Sequence, residues 1–224
     1  MKKYILSIAV VLSTFSLCFA QKKETIRISE DISLVKLTDK VYQHVSAFQT
    51  EEWGKIKANG VLLIDKGKAL MLDTPWNNEQ TEKLYTWLAD SMNVKVTAII
   101  PNHWHGDCMG GLTYLHSKGV KSYANQMTID IAREKGLPVP QQGFKDTLTV
   151  QLNDIDVLCY YPGGGHATDN IVVYIPSEKL LFPGCFSKDI KSKNLGNVVD
   201  GDVKTWPNAI FKVLRKFPDA QIVV

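Results

Sequence analysis

Two groups of short apolar runs, with helical segments between and after them, constrain most strongly how this chain can fold. The runs lie at residues 32–37, 41–48, 60–65, 69–72, 96–100, 120–123, 148–152, 157–161, 171–175 and 179–182. Helical periodicity lies at residues 78–92, 109–118, 126–135 and 206–216. Runs of this length, rich in β-branched residues and bounded by turn residues, are typical of strands. Strands, then helices, then strands again predict an α/β fold in which two packed sheets are flanked by helices.

The N-terminus is typical of an export signal. Two lysines precede an apolar stretch at residues 4–19, and Cys18-Phe19-Ala20 offers small residues to a signal peptidase. We expect a signal peptide over residues 1–20, cleavage after Ala20 and a periplasmic protein. A membrane anchor is disfavoured because a span needs ~20 apolar residues. A lipoprotein is disfavoured because bulky Leu17 precedes Cys18.

No linker or repeat divides residues 21–224, so we predict one domain there. Removal of the signal takes away two of 26 basic residues and none of the 23 acidic ones, which leaves a formal charge of about +1. This charge gives no electrostatic reason to expect nucleic acid as a partner. Nothing indicates an obligate oligomer or, once the signal is removed, a membrane contact, so we expect a monomer that acts on a small molecule.

Three polar segments, each directly after an apolar run, carry the candidate chemistry. The first contains His103, His105 and Asp107, the second places His166 after three glycines, and the third contains Cys185. Read singly, the first segment fits a surface loop with a capping aspartate as well as it fits a metal site, and the second fits a hairpin with an incidental histidine equally well. Cys185 alone is better explained as a small core residue than as a ligand. Together they hold the ligand types that zinc prefers and therefore predict a metal site.

Three other polar residues are expected to be structural. His44 lies in the middle of a predicted strand, and His116 lies in the last turn of a helix, where its charge suits the helix dipole. Asp73 is expected to support the metal loops from behind. The mature chain keeps three cysteines, an odd number, so at least one thiol must stay free or be held by a metal.

In order and spacing, the polar segments resemble the dizinc metallo-β-lactamases of subclass B1, a family that includes broad-spectrum carbapenemases. The resembling segments, all beyond about Val41, are Asn102-His103-Trp104-His105-Gly106-Asp107, Gly164-Gly165-His166-Ala167-Thr168-Asp169-Asn170, Gly184-Cys185 with Lys188, and Leu195-Gly196-Asn197. The resemblance implies the αββα sandwich of that family, with two mixed sheets and two zinc ions at the sandwich edge. It also implies hydrolysis of the amide bond of penicillins, cephalosporins and carbapenems by a metal-bound hydroxide, which confers antibiotic resistance.

The resemblance also implies the metal ligands. The first zinc would be held by His103, His105 and His166, and the second by Asp107 and Cys185. The family's remaining ligand, a histidine in a Pro-Gly-His-Gly segment, follows the strand that here ends at Val224. Either the sequence is truncated and a longer reading frame supplies this histidine, or the second zinc site lacks one ligand; we expect a truncated sequence. A smaller departure is Pro183, where glycine is common.

Four side chains would serve the reaction in the resembling family. Asp107 would orient the attacking hydroxide, and Asn197 would stabilise the oxyanion and contact substrate. Lys188 would bind the substrate carboxylate, and Trp53, on a flap at residues 48–57, would contact substrate. Without the resemblance, Lys188 is a solvated lysine, Asn197 a turn residue and Trp53 a packed hairpin residue.

Two other functions stay open from the sequence. One is another hydrolase of the same superfamily, acting on a thioester or a phosphodiester. Its members commonly have a histidine where this chain has Cys108 and a bridging aspartate where it has Cys185, so both positions favour the lactamase. The other is an exported zinc-binding protein without turnover.

Overall fold

The computed structural model describes residues 24–52 and 54–224. The predicted signal peptide at residues 1–20 and the flap residue Trp53 lie outside the described residues. In the part of the chain that is described, none of the helices is long and apolar enough to cross a membrane.

The strands form two mixed sheets, as predicted. The larger sheet consists, in this order, of β1 (Thr25–Arg27), β2 (Ile32–Lys36), β3 (Val41–Thr50), β4 (Gly54–Asp65), β5 (Lys68–Leu72), β6 (Lys95–Ile100), β7 (Lys121–Asn125) and β8 (Gln142–Phe144). Strands β1 to β5 are antiparallel, and β5 to β8 are parallel. The smaller sheet, in the order β13-β12-β11-β10-β9, consists of β9 (Thr147–Leu152), β10 (Ile155–Tyr160), β11 (Val172–Ile175), β12 (Leu180–Phe182) and β13 (Ile222–Val223). Its strands are antiparallel apart from β12 and β13.

Helices cover the outer faces of both sheets. They are α1 (Asn78–Met92), α2 (Gly106–Met109), α3 (Leu112–Ser117), α4 (Gln126–Glu134) and α5 (Trp206–Lys216), and two 3-10 turns lie at Pro176–Glu178 and Gly184–Phe186. Asn77 caps helix α1, because its side chain accepts a hydrogen bond of 2.9 Å from the Gln80 amide. The predicted order of layers, helix, sheet, sheet and helix, is confirmed.

The alternation of side chains along β4 shows which residues face which layer. Val61 and Leu63 point into the core between the sheets, where they meet Val157 of the smaller sheet. Leu62 points to the opposite face and packs in the cluster that contains Leu84 of α1. Helix α5 covers the smaller sheet through a third cluster, which contains Trp206, Ala209 and Val213 and the strand residues Val172 and Tyr174.

The structure differs from the prediction in one helix, in one hairpin and in two short strands, β1 and β8, that were not predicted. The single helix expected at residues 109–118 is divided into α2 and α3, with Gly110 and Gly111 between them. A Cβ atom on Gly110 would lie 1.9 Å from the Trp76 carbonyl oxygen, and one on Gly111 would lie 1.9 Å from Oγ1 of Thr81, so the backbone fits here only because both glycines lack side chains. The hairpin of β3 and β4 extends through most of the expected flap, and its last pair is Thr50 with Gly54.

The loops that follow β5, β6, β10 and β12 emerge at one edge of the sandwich. Strands β5 and β6 are parallel, so their carboxyl ends coincide. Strands β10 and β12 are both antiparallel to β11 and therefore also run in a common direction. These are the loops that contain Asp73, the two histidines 103 and 105, His166 and Cys185.

Candidate metal centre

The His103 and His105 rings converge at the end of β6. The buried Nε2 of His103 lies 2.9 Å from Nδ1 of His105. The outer nitrogen of His105, Nε2, lies 2.9 Å from Oδ2 of Asp200, and Nδ1 of His103 lies 3.3 Å from Oδ1 of Asn102. Each outer nitrogen thus faces an oxygen acceptor, which favours a proton on that nitrogen.

The two inner nitrogens, Nε2 of His103 and Nδ1 of His105, face each other at hydrogen-bond distance. Burial, followed by the neighbouring rings of His105 and His166, lowers the pKa of His103 well below its usual value, so this ring stays neutral. A neutral imidazole has one ring nitrogen without a proton, and that nitrogen can bind a metal ion. The pair is therefore suited to bind a cation.

His166 completes a set of three imidazoles. Its ring centre lies 5.0 Å from that of His103 and 5.3 Å from that of His105, and all three rings are nearly perpendicular to one another. Burial and the positive charge of Lys188 lower the pKa of His166 to about 4, so this ring is also neutral near pH 7. The preceding Gly165 is needed for packing, because a Cβ atom there would lie 2.5 Å from the Phe186 ring.

Asp107 and Cys185 lie beside the imidazoles. The Cys185 thiol donates to Oδ2 of Asp107 at 3.2 Å, and Oδ1 of Asp107 lies 4.0 Å from Nε2 of His103. Ligand atoms of His103, His166 and Cys185 all lie within 4.8 Å of one another. Burial and the charge of Asp107 raise the pKa of the Cys185 thiol well above its usual value. A cation that binds the thiolate must therefore displace a proton.

This donor set fits zinc. Zinc binds imidazole nitrogen, thiolate sulfur and carboxylate oxygen in small, roughly tetrahedral sets, and all three ligand types are present here. The three perpendicular rings could hold one ion, and Asp107 with Cys185 could contribute to a second. The structure thus brings together the five residues predicted as ligands.

Hydrogen bonds of the Asn102 side chain connect the loops of the centre to one another. Its side-chain amide donates to the carbonyl oxygen of Ile171 and, at 3.1 Å, to that of Pro183, while its Oδ1 accepts from Asn170 at 2.6 Å. Asp169 makes a second link, because its Oδ2 accepts from the Trp104 amide at 3.0 Å. The loops after β6, β10 and β12 are therefore held together by neutral and charged polar groups.

Asp73 and Cys108 lie beneath the metal ligands. Oδ1 of Asp73 accepts a hydrogen bond of 2.5 Å from the backbone amide of Asn102. The buried Cys108 sulfur lies 3.2 Å from Nδ1 of His103. Burial raises the pKa of the Asp73 carboxyl well above its usual value, although the Asn102 amide opposes this shift. Asp73 has a φ of 58°, and its carbonyl oxygen accepts from Nε2 of the buried His44 at 3.0 Å. The supporting role predicted for Asp73 matches this geometry.

Lys188 and Asn197 lie at the rim of the centre. The charge of Lys188 acts on His103 and His166, and its Nζ lies 5.9 Å from the centre of the Trp206 ring. Asn197 is exposed, and its Oδ1 accepts from the Val199 amide at 3.0 Å, which leaves the Nδ2 hydrogens available to another group.

Sequence reasoning missed Asp200 and Asn102. Asp200 holds the outer nitrogen of His105, the kind of carboxylate contact that orients a metal-binding imidazole. The residues before it, 187–199, show no strand or helix periodicity that would have indicated where its side chain lies. His116, expected to be structural, lies in the last turn of α3 with Nε2 2.8 Å from Oγ of Ser122.

Known proteins that resemble this chain in sequence belong to a family with this architecture. The sequence profile described as the metallo-beta-lactamase superfamily matches residues 53–220. The chain is 55% identical over 202 residues to metallo-beta-lactamase type 2 of Bacteroides fragilis, covering 90% of this chain and 81% of that protein. A metallo-beta-lactamase type 2 of Pseudomonas aeruginosa is 32% identical over 195 residues, which cover 87% of this chain and 77% of that one.

A solved structure agrees with the sequence relatives. The metallo-beta-lactamase from Pontibacter korlensis superposes with a TM-score of 0.82 at 36% identity, covering 86% of this chain and 89% of that one. Two sheets flanked by helices, with histidine, aspartate and cysteine side chains gathered at one edge, are thus shared with proteins of known family. With this fold, this polar centre and these relatives, the chain belongs to the metallo-β-lactamase superfamily.

Proposed function

We propose that this chain hydrolyses the amide bond of β-lactams, among them penicillins, cephalosporins and carbapenems, with zinc as its cofactor. The observation that carries this proposal is the convergence of His103 and His105, whose inner nitrogens lie 2.9 Å apart, with His166, Asp107 and Cys185 beside them. Curated relatives named metallo-beta-lactamase type 2 support the substrate class.

Each side chain of the centre would have a distinct role. His103, His105 and His166 would hold one zinc ion, while Asp107 and Cys185 would contribute to a second. Bound zinc supplies a Lewis acid and lowers the pKa of water from ~15.7 toward ~7. Asp107, within reach of both groups of ligands, would orient the attacking oxygen through its free carboxylate oxygen.

The rim residues would position the substrate. Lys188 would bind the carboxylate of the β-lactam as a point charge. Asn197 would donate from Nδ2 to the carbonyl oxygen as negative charge develops on it, a class of contact that contributes about 3 kcal/mol to transition-state stabilisation. We propose Trp53 as an apolar contact on the hairpin between β3 and β4. Overall, water adds across the ring C–N bond, with oxygen going to the carbonyl carbon and a proton to the nitrogen.

The test uses purified full-length protein with a chromogenic cephalosporin and a carbapenem. We expect hydrolysis that is lost on chelation and restored by zinc. The diagnostic variant is His103→Asn, and its matched control is His116→Asn, which changes a histidine remote from the metal centre. We expect the first to abolish turnover and the second to leave it near the wild-type rate.

Three results would contradict the proposal. Zinc uptake without ring opening would indicate a binding protein, and hydrolysis confined to thioesters or phosphodiesters would indicate another hydrolase of the superfamily. Ring opening that survives complete removal of zinc would exclude the metal from the reaction.

We further propose that the mature domain begins at Gln21, that the protein is exported to the periplasm by cleavage after Ala20, and that it is monomeric. The charged start and apolar stretch of residues 1–20 support export. N-terminal sequencing of the periplasmic fraction and light scattering of the purified protein test these points. A mature chain that still begins at Met1, or a mass twice that of one chain, would contradict them.

A further inference from the structure

A second lysine lines the cavity of the metal centre. Its lining includes Asp107, Cys185 and Lys188, Lys57 and Asn59 of β4, and Val223 and Val224 at the last strand. Lys57 belongs to the hairpin of β3 and β4, which is far from Lys188 in sequence. Cationic side chains from two distant segments of the chain therefore line the same cavity.

The register of β4 explains why Lys57 faces the cavity. Alternate residues of a strand share one face, so Lys57 and Asn59 lie on the same face as Val61 and Leu63. Val61 and Leu63 are buried in the core between the two sheets. Lys57 and Asn59 continue this inner face beyond the edge of the core, where the cavity opens.

Lys57 and its neighbour Lys55 differ in their partners. The Lys55 ammonium lies 2.8 Å from a carboxylate oxygen of Asp31. Among residues 24–52 and 54–224, Lys57 has no ion pair, although it is exposed on the same face of the same strand. Its charge is therefore available to a bound molecule.

The acidic groups that line the cavity have other contacts. Asp107 accepts from the Cys185 thiol, and Asp73 is buried against the Asn102 amide. Asp189 is exposed and accepts from the backbone amide of Lys191 at 2.7 Å. Within the described residues, these carboxylates leave both cavity lysines unpaired.

We propose that Lys57 selects β-lactams that carry a second anionic group, on the side chain of the ring, in addition to the ring carboxylate assigned to Lys188. One anion can pair with one of the two ammonium groups that line the cavity, and a dianionic substrate can pair with both. This inference rests on the proposed β-lactamase function and names a substrate class within it.

The expected effect is modest because Lys57 is exposed. Exposed ion pairs change affinity by a factor of about two to five, and salt weakens them. A substitution of Lys57 should therefore alter KM for charged side chains by about threefold at low ionic strength, and by less at high salt.

The experiment compares three penicillins that differ at one carbon of the side chain, using zinc-loaded full-length enzyme. Carbenicillin carries a carboxylate there, benzylpenicillin a hydrogen and ampicillin an ammonium group. We expect Lys57→Gln to raise the KM ratio of carbenicillin to benzylpenicillin about threefold and to lower the ratio of ampicillin to benzylpenicillin. Lys57→Glu should enlarge both changes. Lys55→Gln is the matched control and should leave both ratios unchanged.

The outcomes separate this inference from the function on which it rests. If none of the three penicillins is hydrolysed, the proposed function fails and the inference fails with it. If all three are hydrolysed and the KM ratios of Lys57→Gln equal those of the wild type, only the inference is wrong. Equal KM changes for all three substrates would also contradict it, because a structural defect does not distinguish the sign of the side-chain charge.

Discussion

His44 should make this protein sensitive to acid. The ring is buried in β3, its Nε2 donates to the Asp73 carbonyl oxygen at 3.0 Å, and its Nδ1 has no hydrogen-bond partner among the described residues. Burial lowers its pKa from 6.5 to about 4. As pH falls below 6.5, the unfolded chain takes up a proton at this ring and the folded chain does not. The free energy of unfolding therefore decreases with falling pH until the folded-state pKa is reached.

The size of this effect follows from the two pKa values. A shift from 6.5 to about 4 corresponds to a total of about 3 kcal/mol, of which about 2 kcal/mol is lost by pH 5. His44→Gln removes the titration and keeps an amide N–H where Nε2 donates. We expect the free energy of unfolding of this variant to decrease by about 2 kcal/mol less than that of the wild type between pH 7 and pH 5.

The assay is urea denaturation of both proteins, followed by tryptophan fluorescence at several pH values and at equal zinc concentration. Other buried histidines contribute equally to both proteins and cancel in the difference. Parallel pH curves for the two proteins would refute the reasoning, because they would show that His44 takes up its proton equally in the folded and unfolded states.

Three further predictions concern the metal centre and its support. Asp200→Asn weakens the contact that orients His105, so zinc affinity should fall about 10- to 100-fold. Competition with a chromophoric chelator measures this affinity, and an unchanged value would contradict the role of Asp200. Gly60→Ala places a Cβ atom 2.0 Å from Nε2 of His44 and should lower the free energy of unfolding by about 1–3 kcal/mol, which denaturation would measure; equal stability would show that the ring moves freely. Asn102→Ala leaves two buried carbonyl groups without their donor and should cost about 2 kcal/mol or more in the same assay, so a smaller loss would show that Asn102 is not the link between the loops.

The layers and the strand-end positions of the candidate ligands could be predicted because their signals are local. Alternation places Val61 and Leu63 on one face of β4 wherever that strand lies, and a polar segment after an apolar run marks the end of a strand. The strand ends then brought His103, His166 and Cys185 within 4.8 Å, as the motifs implied.

The missed features depend on contacts between distant segments. The bond between His105 and Asp200 joins residues 95 positions apart, and nothing in the residues around Asp200 specifies that partner. The close approach of Gly110, between α2 and α3, to the Trp76 carbonyl also cannot be read from helical periodicity. Local patterns specify which face a residue occupies, whereas the packing of loops specifies which groups meet there.

The amide of Asn102 affects how the protein acquires its cofactor. Because its hydrogen bonds join three loops, the conformational entropy of those loops is lost when the chain folds. Zinc arriving later meets nitrogen and sulfur atoms that already lie close together, so its uptake should resemble simple complexation rather than coupled folding. Apoenzyme made by chelation should therefore recover its activity on the time scale of ion diffusion and proton release, without a slow refolding phase.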